Sequence, residues 1–310
     1  MSRSFALLVV ALISGTCIAQ EVRTEIARQA LPPTLRLRTV AENTQRITTP
    51  IEQPSSPDAA AEFGEQVVLM RQAQWDPWSA DAGVSLFFTD NVALAPRAVE
   101  DWFMKYDLGV GYTNRIGGPW SMDVSLAQAM VRYDQFDALD FDLTRATAGI
   151  AYEASWLSDA SFFLRYQFYR ITDAGFGDEI LRNHTLSVGV QKIWKVSKGQ
   201  QLFFGISSDP SLEATPAIAE RHEHAAFGGW SLRLTEKLTA QVSGRVGYHV
   251  STATDRRDWN YVALASAAYA VTDWASVSVT SSVAWNESDR AVFTYRNVIA
   301  GVFVGMHLTF

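Results

Sequence analysis

Residues 298–310 read Val-Ile-Ala-Gly-Val-Phe-Val-Gly-Met-His-Leu-Thr-Phe, and this stretch decides the fold class. Every second side chain from Val298 to Phe310 is apolar, whereas the alternate positions include Gly301, Gly305 and His307. Because successive side chains of a β-strand point to opposite faces, the stretch predicts a strand with one apolar face and one mixed face.

This ending resembles the closing strand of bacterial outer-membrane β-barrels, in which alternating apolar residues and a terminal aromatic residue act as an assembly signal. The matching residues here are Met306, Leu308 and Phe310. The resemblance implies a location in the bacterial outer membrane, contact with its lipid, and recognition of this strand by the barrel-assembly machinery.

The N-terminus predicts a secretory signal peptide over residues 1–19. Arg3 precedes an apolar run, residues 5–13, that is too short to cross a bilayer as a helix. Small residues follow, and we expect cleavage after Ala19. Lipidation of Cys17 is an alternative, although the residues before it do not match the usual lipoprotein pattern.

The composition excludes several classes of protein. The single cysteine lies within the predicted signal peptide, so we expect neither disulfides nor thiolate metal sites in the mature chain, and no cofactor. The net charge is −7 and there is no basic run, which argues against a nucleic-acid partner. The mean hydropathy is −0.01, and no stretch reaches the roughly 20 apolar residues of a transmembrane helix.

Residues 20–77 differ in composition from the rest of the chain. The stretch 48–58 is rich in Pro, Ser, Thr and Gln and has few large apolar side chains, so it cannot bury enough surface to offset the entropy of ordering. We therefore predict a mostly disordered periplasmic extension over residues 20–77, followed by a folded domain over residues 78–310.

From Trp78 onward, apolar and polar residues alternate with a period of two, which indicates half-buried strands. About twelve segments lie near residues 79–90, 101–114, 120–134, 141–155, 160–171, 182–196, 200–208, 222–234, 238–251, 258–271, 274–286 and 293–310. Most are about ten residues or longer, the length of a tilted membrane strand. The sequence therefore predicts an all-β fold, a closed antiparallel transmembrane β-barrel of about 12 strands, with 10 to 14 as the range.

The connections between these segments alternate in length. Short turns lie near residues 117–119, 157–159, 197–199, 235–237 and 272–273, and longer connections lie between them. Short turns at one end and long loops at the other are typical of outer-membrane barrels, whose turns lie in the periplasm.

The apolar parity is predicted to face lipid and the polar parity to face the lumen. Aromatic residues on the lipid parity near strand ends predict girdles at headgroup depth, although ordinary β-propensity also enriches aromatic residues in strands. They are Trp102, Tyr106, Tyr112, Trp120, Tyr152, Trp194, Trp230, Trp259, Tyr261, Tyr269 and Trp285. Gln128 and Lys192 also fall on the lipid parity, which predicts a bulge or a local register error in the third or sixth segment.

The charged residues of the lumen parity are the candidate functional set. They are Asp81, Lys105, Asp107, Asp123, Arg145, Glu153, Arg165, Glu223, Arg233, Arg245, His249 and His307. Such residues either line a water-filled path and set its ionic selectivity, or pair with one another and close it. The turn at residues 235–237 predicts that Glu223 lies opposite His249 with Arg245 diagonal to it, in a polar cluster near the outer end.

Sites for metals and catalysis receive weaker support. His222 and His224 share one face of a strand and Glu223 lies on the other, so these residues do not form a metal site by themselves. The acidic stretch between Asp134 and Asp142 is an alternative site for divalent cations, or simply a solvated loop.

A second resemblance covers the start of the folded domain. Trp75-Asp76-Pro77-Trp78 leads into a segment that ends Phe88-Thr89-Asp90-Asn91, and it resembles the first strand of β-barrel porin families of unassigned function. This resemblance implies a barrel and gives no substrate. We expect a porin-like or channel-like protein that passes small polar solutes and is not an enzyme; an adhesion-type or structural barrel with an occluded lumen and a membrane-embedded hydrolase are the alternatives.

Overall fold

The computed structural model describes residues 77–197 and 199–310. The predicted signal peptide and the predicted extension as far as residue 76 lie outside the described residues. Among the residues described, there is no helix of the length and apolarity that a membrane span requires.

Thirteen strands and four short 3-10 turns make up the described chain. The strands are β1 (Trp78–Thr89), β2 (Asp101–Gly117), β3 (Trp120–Tyr133), β4 (Phe141–Ala154), β5 (Ala160–Asp173), β6 (Glu179–Ser197), β7 (Gln200–Asp209), β8 (Ser211–Thr215), β9 (Arg221–Arg233), β10 (Leu238–Ser251), β11 (Arg257–Ala270), β12 (Ala275–Ser288) and β13 (Tyr295–Thr309). The 3-10 turns are Asp137–Leu139, Ser155–Leu157, Ala217–Ala219 and Ala291–Phe293.

Twelve of these strands close into an antiparallel barrel, which confirms the predicted fold class. Neighbours in the chain pair with each other, β7 pairs with β9, and β1 pairs with β13 over the stretch from Ser79 to Thr89. The first and last strands thus complete the ring, and both strand ends at Trp78 and Thr309 lie at the end of the barrel that carries the short turns.

The thirteenth strand arises where Pro210 interrupts the wall. β7 pairs with the turn-side half of β6 as far as Ser208, and β8 resumes the pairing with β6 from Ser211. Proline has no backbone N–H to donate, so a strand that passes through it loses a ladder bond and bends. The β7–β8 pair therefore forms a single wall position, split into two segments.

The outer surface carries the expected apolar belt, with large exposed side chains such as Leu108, Val242 and Val304. Trp102, Trp120 and Trp259 are exposed near strand ends, as the girdle interpretation predicted. A closed barrel with this belt needs a membrane around it, because contiguous apolar surface of this extent is not left in water.

The sixth strand, β6, does carry an irregularity, as predicted for the third or sixth segment, but that irregularity does not explain Gln128 and Lys192. Both lie in regular pairing and do face outward; the β6 irregularity beside β7 falls later, between Lys195 and Ser197. Gln128 Oε1 accepts a hydrogen bond from Thr144 Oγ1 at 2.6 Å. The Lys192 ammonium lies 5.3 Å from the Trp194 ring centroid. Each polar group is thus satisfied on the outer surface.

Candidate functional site: a lumen divided into two halves

An apolar layer fills the loop-side half of the lumen along β1–β6 and β13. Its wall residues are buried side chains on the inward face, and loop residues pack against them. The members from the strands are Phe87, Phe103, Ala129, Val131, Tyr133, Phe141, Leu143, Ile171, Ile180, Leu181 and Ile299. The Phe87 and Phe103 rings stack at a centroid distance of 5.3 Å, and Phe103 lies 5.3 Å from Tyr133.

The loop between β1 and β2, residues 90–100, folds into this half of the barrel; we call it the lid loop. Val92 and Leu94 are 4% and 6% exposed, and Leu94 packs against Tyr295 of β13. Ala219, from the connection between β8 and β9, is buried in the same layer. Wall and loop side chains therefore pack together over the β1–β6 and β13 side of the outer mouth.

Asn91 fixes the lid loop in this position. Its Nδ2 donates to the carbonyl oxygens of Ala95 and Arg296, each at 2.8 Å, and its Oδ1 accepts from the Ala95 amide at 3.2 Å. The side chain is 1% exposed. This one buried side-chain amide therefore bonds Ala95 within the lid loop and Arg296 on β13.

The preceding residues of the same element tie β1 to β13. Thr89 Oγ1 donates to Asn297 Oδ1 at 2.7 Å, and Asp90 Oδ1 accepts from the Val298 amide at 2.7 Å. Thr89 and Asp90 thus hydrogen-bond β1 to β13, and the chain turns inward at Asn91. Its role is a local structural one that positions the lid loop.

A polar network occupies the opposite wall at the same depth. The register places Glu223 directly opposite His249, which confirms the predicted pairing. Glu223 contacts Arg245, lies 3.2 Å from His249 Nε2, and lies 3.5 Å from Arg221. Next to it, Arg256 and Asp258 form a buried pair, Nε to Oδ2 2.9 Å. Burial of so many charges is tolerated because each has an opposite partner.

The turn-side half of the lumen contains a cavity of about 540 Å³. It ends against the apolar layer, since Phe87, Ala129 and Leu143 line it. Strands β10–β12 contribute only hydroxyl, amide and small or apolar groups, namely Thr239, Gln241, Leu264, Ser266, Ala268, Ser276, Ser278 and Thr280. The cavity therefore has one wall of neutral hydrogen-bonding groups.

The charged wall of the cavity lies mainly on β1–β4 and is internally paired. Lys105 lies 2.5 Å from Asp107, and His307 Nδ1 lies 2.6 Å from Asp81 Oδ1 across the β1–β13 seam. A third pair, Arg165 to Asp123, spans 3.1 Å, and both of its side chains are largely buried. These three pairs place charges of both signs next to each other along this wall.

Seven of the twelve candidate residues line the cavity. They are Asp81, Lys105, Asp107, Asp123, Arg145, Arg233 and His307. Arg165 pairs with Asp123 beside it, and Glu223, Arg245 and His249 lie in the loop-side polar network instead. Glu153 is on β4 near the turn end and is outside the cavity lining.

The lid loop and the apolar layer were missed by sequence reasoning, which expected a polar inward face throughout. The sequence does carry a signal: Leu86-Phe87-Phe88 and Trp102-Phe103-Met104 are apolar on both parities at the loop-side ends of their strands. A strand that is apolar on both faces is buried on both faces.

The acidic outer stretch is used for loop structure. Asp142 Oδ1 accepts from Arg132 Nη2 at 2.6 Å, and Asp140 Oδ1 accepts from the Tyr133 amide at 2.7 Å. Burial raises the pKa of the Asp140 carboxyl above its ordinary value of 3.8. Across the described residues, no group of three or more His, Cys, Asp or Glu side chains is arranged to hold a metal ion.

Neither a protein-family model nor a curated protein matches the sequence. Among solved structures, an outer membrane channel from Pseudomonas putida F1 is similar, with a TM-score of 0.53 at 8% identity over 75% of this chain and 96% of that chain. The outer membrane channel DcaP of Acinetobacter baumannii has a TM-score of 0.43 at 9% identity, over 74% of this chain and 96% of that chain. The chain thus has the fold of an outer-membrane β-barrel.

The outer-membrane β-barrel fold and the exposed apolar belt locate the protein in the bacterial outer membrane. In this setting the short turns face the periplasm and the long loops face outward. The cavity therefore lies on the periplasmic side of the apolar layer, and the lid loop lies on the outer side.

Proposed function

We propose that this barrel passes small polar solutes and that the lid loop gates its outer mouth. The cavity of about 540 Å³ carries this proposal. Its volume falls in the range of about 300–1,000 Å³ that is typical of small-molecule sites. A purely structural barrel has no need for a solute-sized chamber, lined in part by hydrogen-bonding groups, beside a separate apolar layer.

The lining indicates the class of solute. The Ser, Thr and Gln side chains of β10–β12 can donate and accept hydrogen bonds, as hydroxylated solutes require. On the facing wall, Lys105, Asp107 and Asp123 lie in ion pairs, so charges of both signs lie side by side there. We propose neutral or zwitterionic solutes of sugar size as the preferred cargo, and no catalytic step.

Solute flux through reconstituted protein tests this function. Liposomes containing the full chain should swell in a monosaccharide and not in a large oligosaccharide, and planar bilayers should show brief openings with long closed periods. Deletion of lid residues 92–98 should lengthen the openings. If neither form carries current or solute while both remain heat-modifiable and folded, the channel proposal fails.

The occluded barrel is the second candidate, and the packed apolar layer favours it. Phe103, Phe141 and Leu181 are each 2% exposed or less, as in a protein core. Without conductance in the lid deletion, this layer would be a permanent plug and the protein a structural or adhesion-type barrel.

A hydrolase is the third candidate, and the Asp81–His307 pair is the arrangement that favours it. A carboxylate that orients a histidine is part of many nucleophilic sites. A lipid-hydrolysis assay on the folded barrel, with His307→Gln as the comparison, tests it. Activity that His307→Gln abolishes would replace the channel proposal.

A further inference from the structure

The outward face of the barrel is uneven around its loop-side end. On β1, β2 and β10–β12, outward aromatic side chains lie near that end, among them Trp102, Trp259 and Trp285, and on β11 the exposed Arg257 lies beyond Trp259. On β5 and β6, the corresponding positions carry Arg170 and Arg182, whose side chains are 46% and 41% exposed. One sector of the aromatic girdle is thus replaced by a pair of arginines, the rim arginines.

The rim arginines lie directly opposite each other in the β5–β6 register. Like charges in directly opposed positions destabilise a sheet. Glu179 is the carboxylate shared between them: its Oε2 lies 2.8 Å from Arg170 Nε, and its Oε1 lies 3.7 Å from Arg182 Nε. One carboxylate compensates one of the two positive charges, and exposed ion pairs contribute little to stability.

Much of the hydrogen-bonding capacity of the pair remains unused. Both Nη atoms of Arg170 and the Nη1 of Arg182 have no partner among the described residues, whereas Arg182 Nη2 donates to Thr215 Oγ1 at 3.2 Å. A guanidinium group presents its donors in a planar fork that matches the oxygens of a phosphate. Two such forks lie on directly opposed residues here.

The surface below the rim arginines carries aromatic and then aliphatic side chains. Phe168 lies opposite His184, with ring centroids 5.0 Å apart, and Tyr166 contacts the same histidine through a 2.5 Å hydrogen bond. Further toward the membrane centre, Leu164 and Val188 are exposed and directly paired. From the centre outward, the side chains are therefore aliphatic, aromatic and cationic. This order complements the acyl chains, the interfacial region and the anionic headgroup of a lipid.

We propose that the rim arginines bind the phosphate-bearing headgroup of an outer-leaflet lipid, with its acyl chains on the apolar surface below. Position favours a lipid over a soluble anion, because the pair faces the membrane directly above the apolar belt. The exposed carboxylates of Asp178 and Glu213 form no ion pair with either arginine. They limit long-range attraction, so recognition rests on the two guanidinium forks.

The test compares lipid retention by the full-length wild type and an Arg170→Gln/Arg182→Gln variant, measured by native mass spectrometry with lipid A as the probe. The wild type should bind lipid A at least tenfold more tightly than the variant. Lipid A from which the phosphates have been removed should bind both proteins equally. An Arg170→Lys/Arg182→Lys variant, which keeps the charge and loses the forks, should fall between them.

The matched control is Arg257→Gln/Arg296→Gln, which removes two other exposed outward arginines of the loop-side end, on β11 and β13. It should retain lipid A as the wild type does, and heat-modifiability should confirm that every variant is folded. Equal retention by the rim variant and the wild type would overturn the proposal. Displacement of lipid A by millimolar inorganic phosphate would also overturn it, because the site would then recognise a free anion.

Discussion

Substitution of Asn91 by alanine should open the outer mouth. The change removes three hydrogen bonds: two from Nδ2, to Ala95 and Arg296 at 2.8 Å, and one from the Ala95 amide at 3.2 Å. Only the bond to Arg296 joins the lid loop to β13, because the two bonds to Ala95 lie within the loop and can persist when it lifts. One such bond contributes about 1 kcal/mol net, so the closed lid loses about 1 kcal/mol relative to an open lid. Since about 1.4 kcal/mol corresponds to a factor of ten, the ratio of open to closed forms should rise roughly fivefold.

Single-channel recording in planar bilayers measures this ratio as the open probability. Asn260→Ala is the matched control, because Asn260 is equally buried but bonds Asn286 across β11 and β12 and lies outside the lid loop. It should leave the open probability unchanged. An Asn91→Ala protein that is folded, and that opens no more often than the wild type, would refute the assignment of the lid loop as the gate.

Three further predictions concern other parts of the barrel. Gly301→Ala should lower the free energy of unfolding in urea by about 1–3 kcal/mol, because the added Cβ would meet the Leu86 backbone oxygen between β1 and β13 at 2.3 Å. Gly109→Ala is the control and should be tolerated, because the nearest atom to its added Cβ is 3.7 Å away. Asp123→Asn should leave Arg165 without its carboxylate and shift the reversal potential in a salt gradient toward anion preference; an unchanged potential would exclude Asp123 from the permeation path. Because burial raises the Asp140 pKa above 3.8, the loop at residues 134–140 should be most protected from hydrogen exchange below that pH and less so as pH rises through the raised pKa. Asp140→Asn should weaken this dependence at the Tyr133 amide, which donates to Asp140, more than at the Gln135 and Phe136 amides, which donate to Asp101.

The barrel itself could be predicted from the sequence because the signal is repeated. Period-two alternation recurs in every strand, and a one-residue slip would turn each apolar set to the wrong face. The Glu223–His249 pairing was equally accessible, since a short turn fixes the register of a hairpin. These features are local, and a single hairpin contains the information that specifies each of them.

The closure of the lumen could not be predicted in the same way. Val92 and Leu94 are ordinary apolar residues of a loop, and their burial depends on contacts with β13 at the far end of the chain. Whether Phe87 fills the lumen or lines it depends on what packs across from it. Such contacts join residues about 200 positions apart, as in the hydrogen bond from Asn91 to Arg296. Period-two alternation gives no information about contacts between residues so far apart in the chain.

The location of the polar network indicates how a solute would pass an open lid. When the lid loop lifts, one side of the outer mouth remains apolar and the other consists of the charged side chains on β7 and β9–β11. Asp209 lies directly opposite Glu223 in the register and so shares its inward face. The charges on that side balance, with Arg221, Arg245 and Arg256 against Asp209, Glu223 and Asp258.

A polar solute would follow this wall because it offers hydrogen bonds where the apolar layer offers none, and a wall with balanced charge favours neither cations nor anions. The open state should therefore conduct potassium and chloride with similar permeability, consistent with cargo that is selected by size and hydrogen bonding.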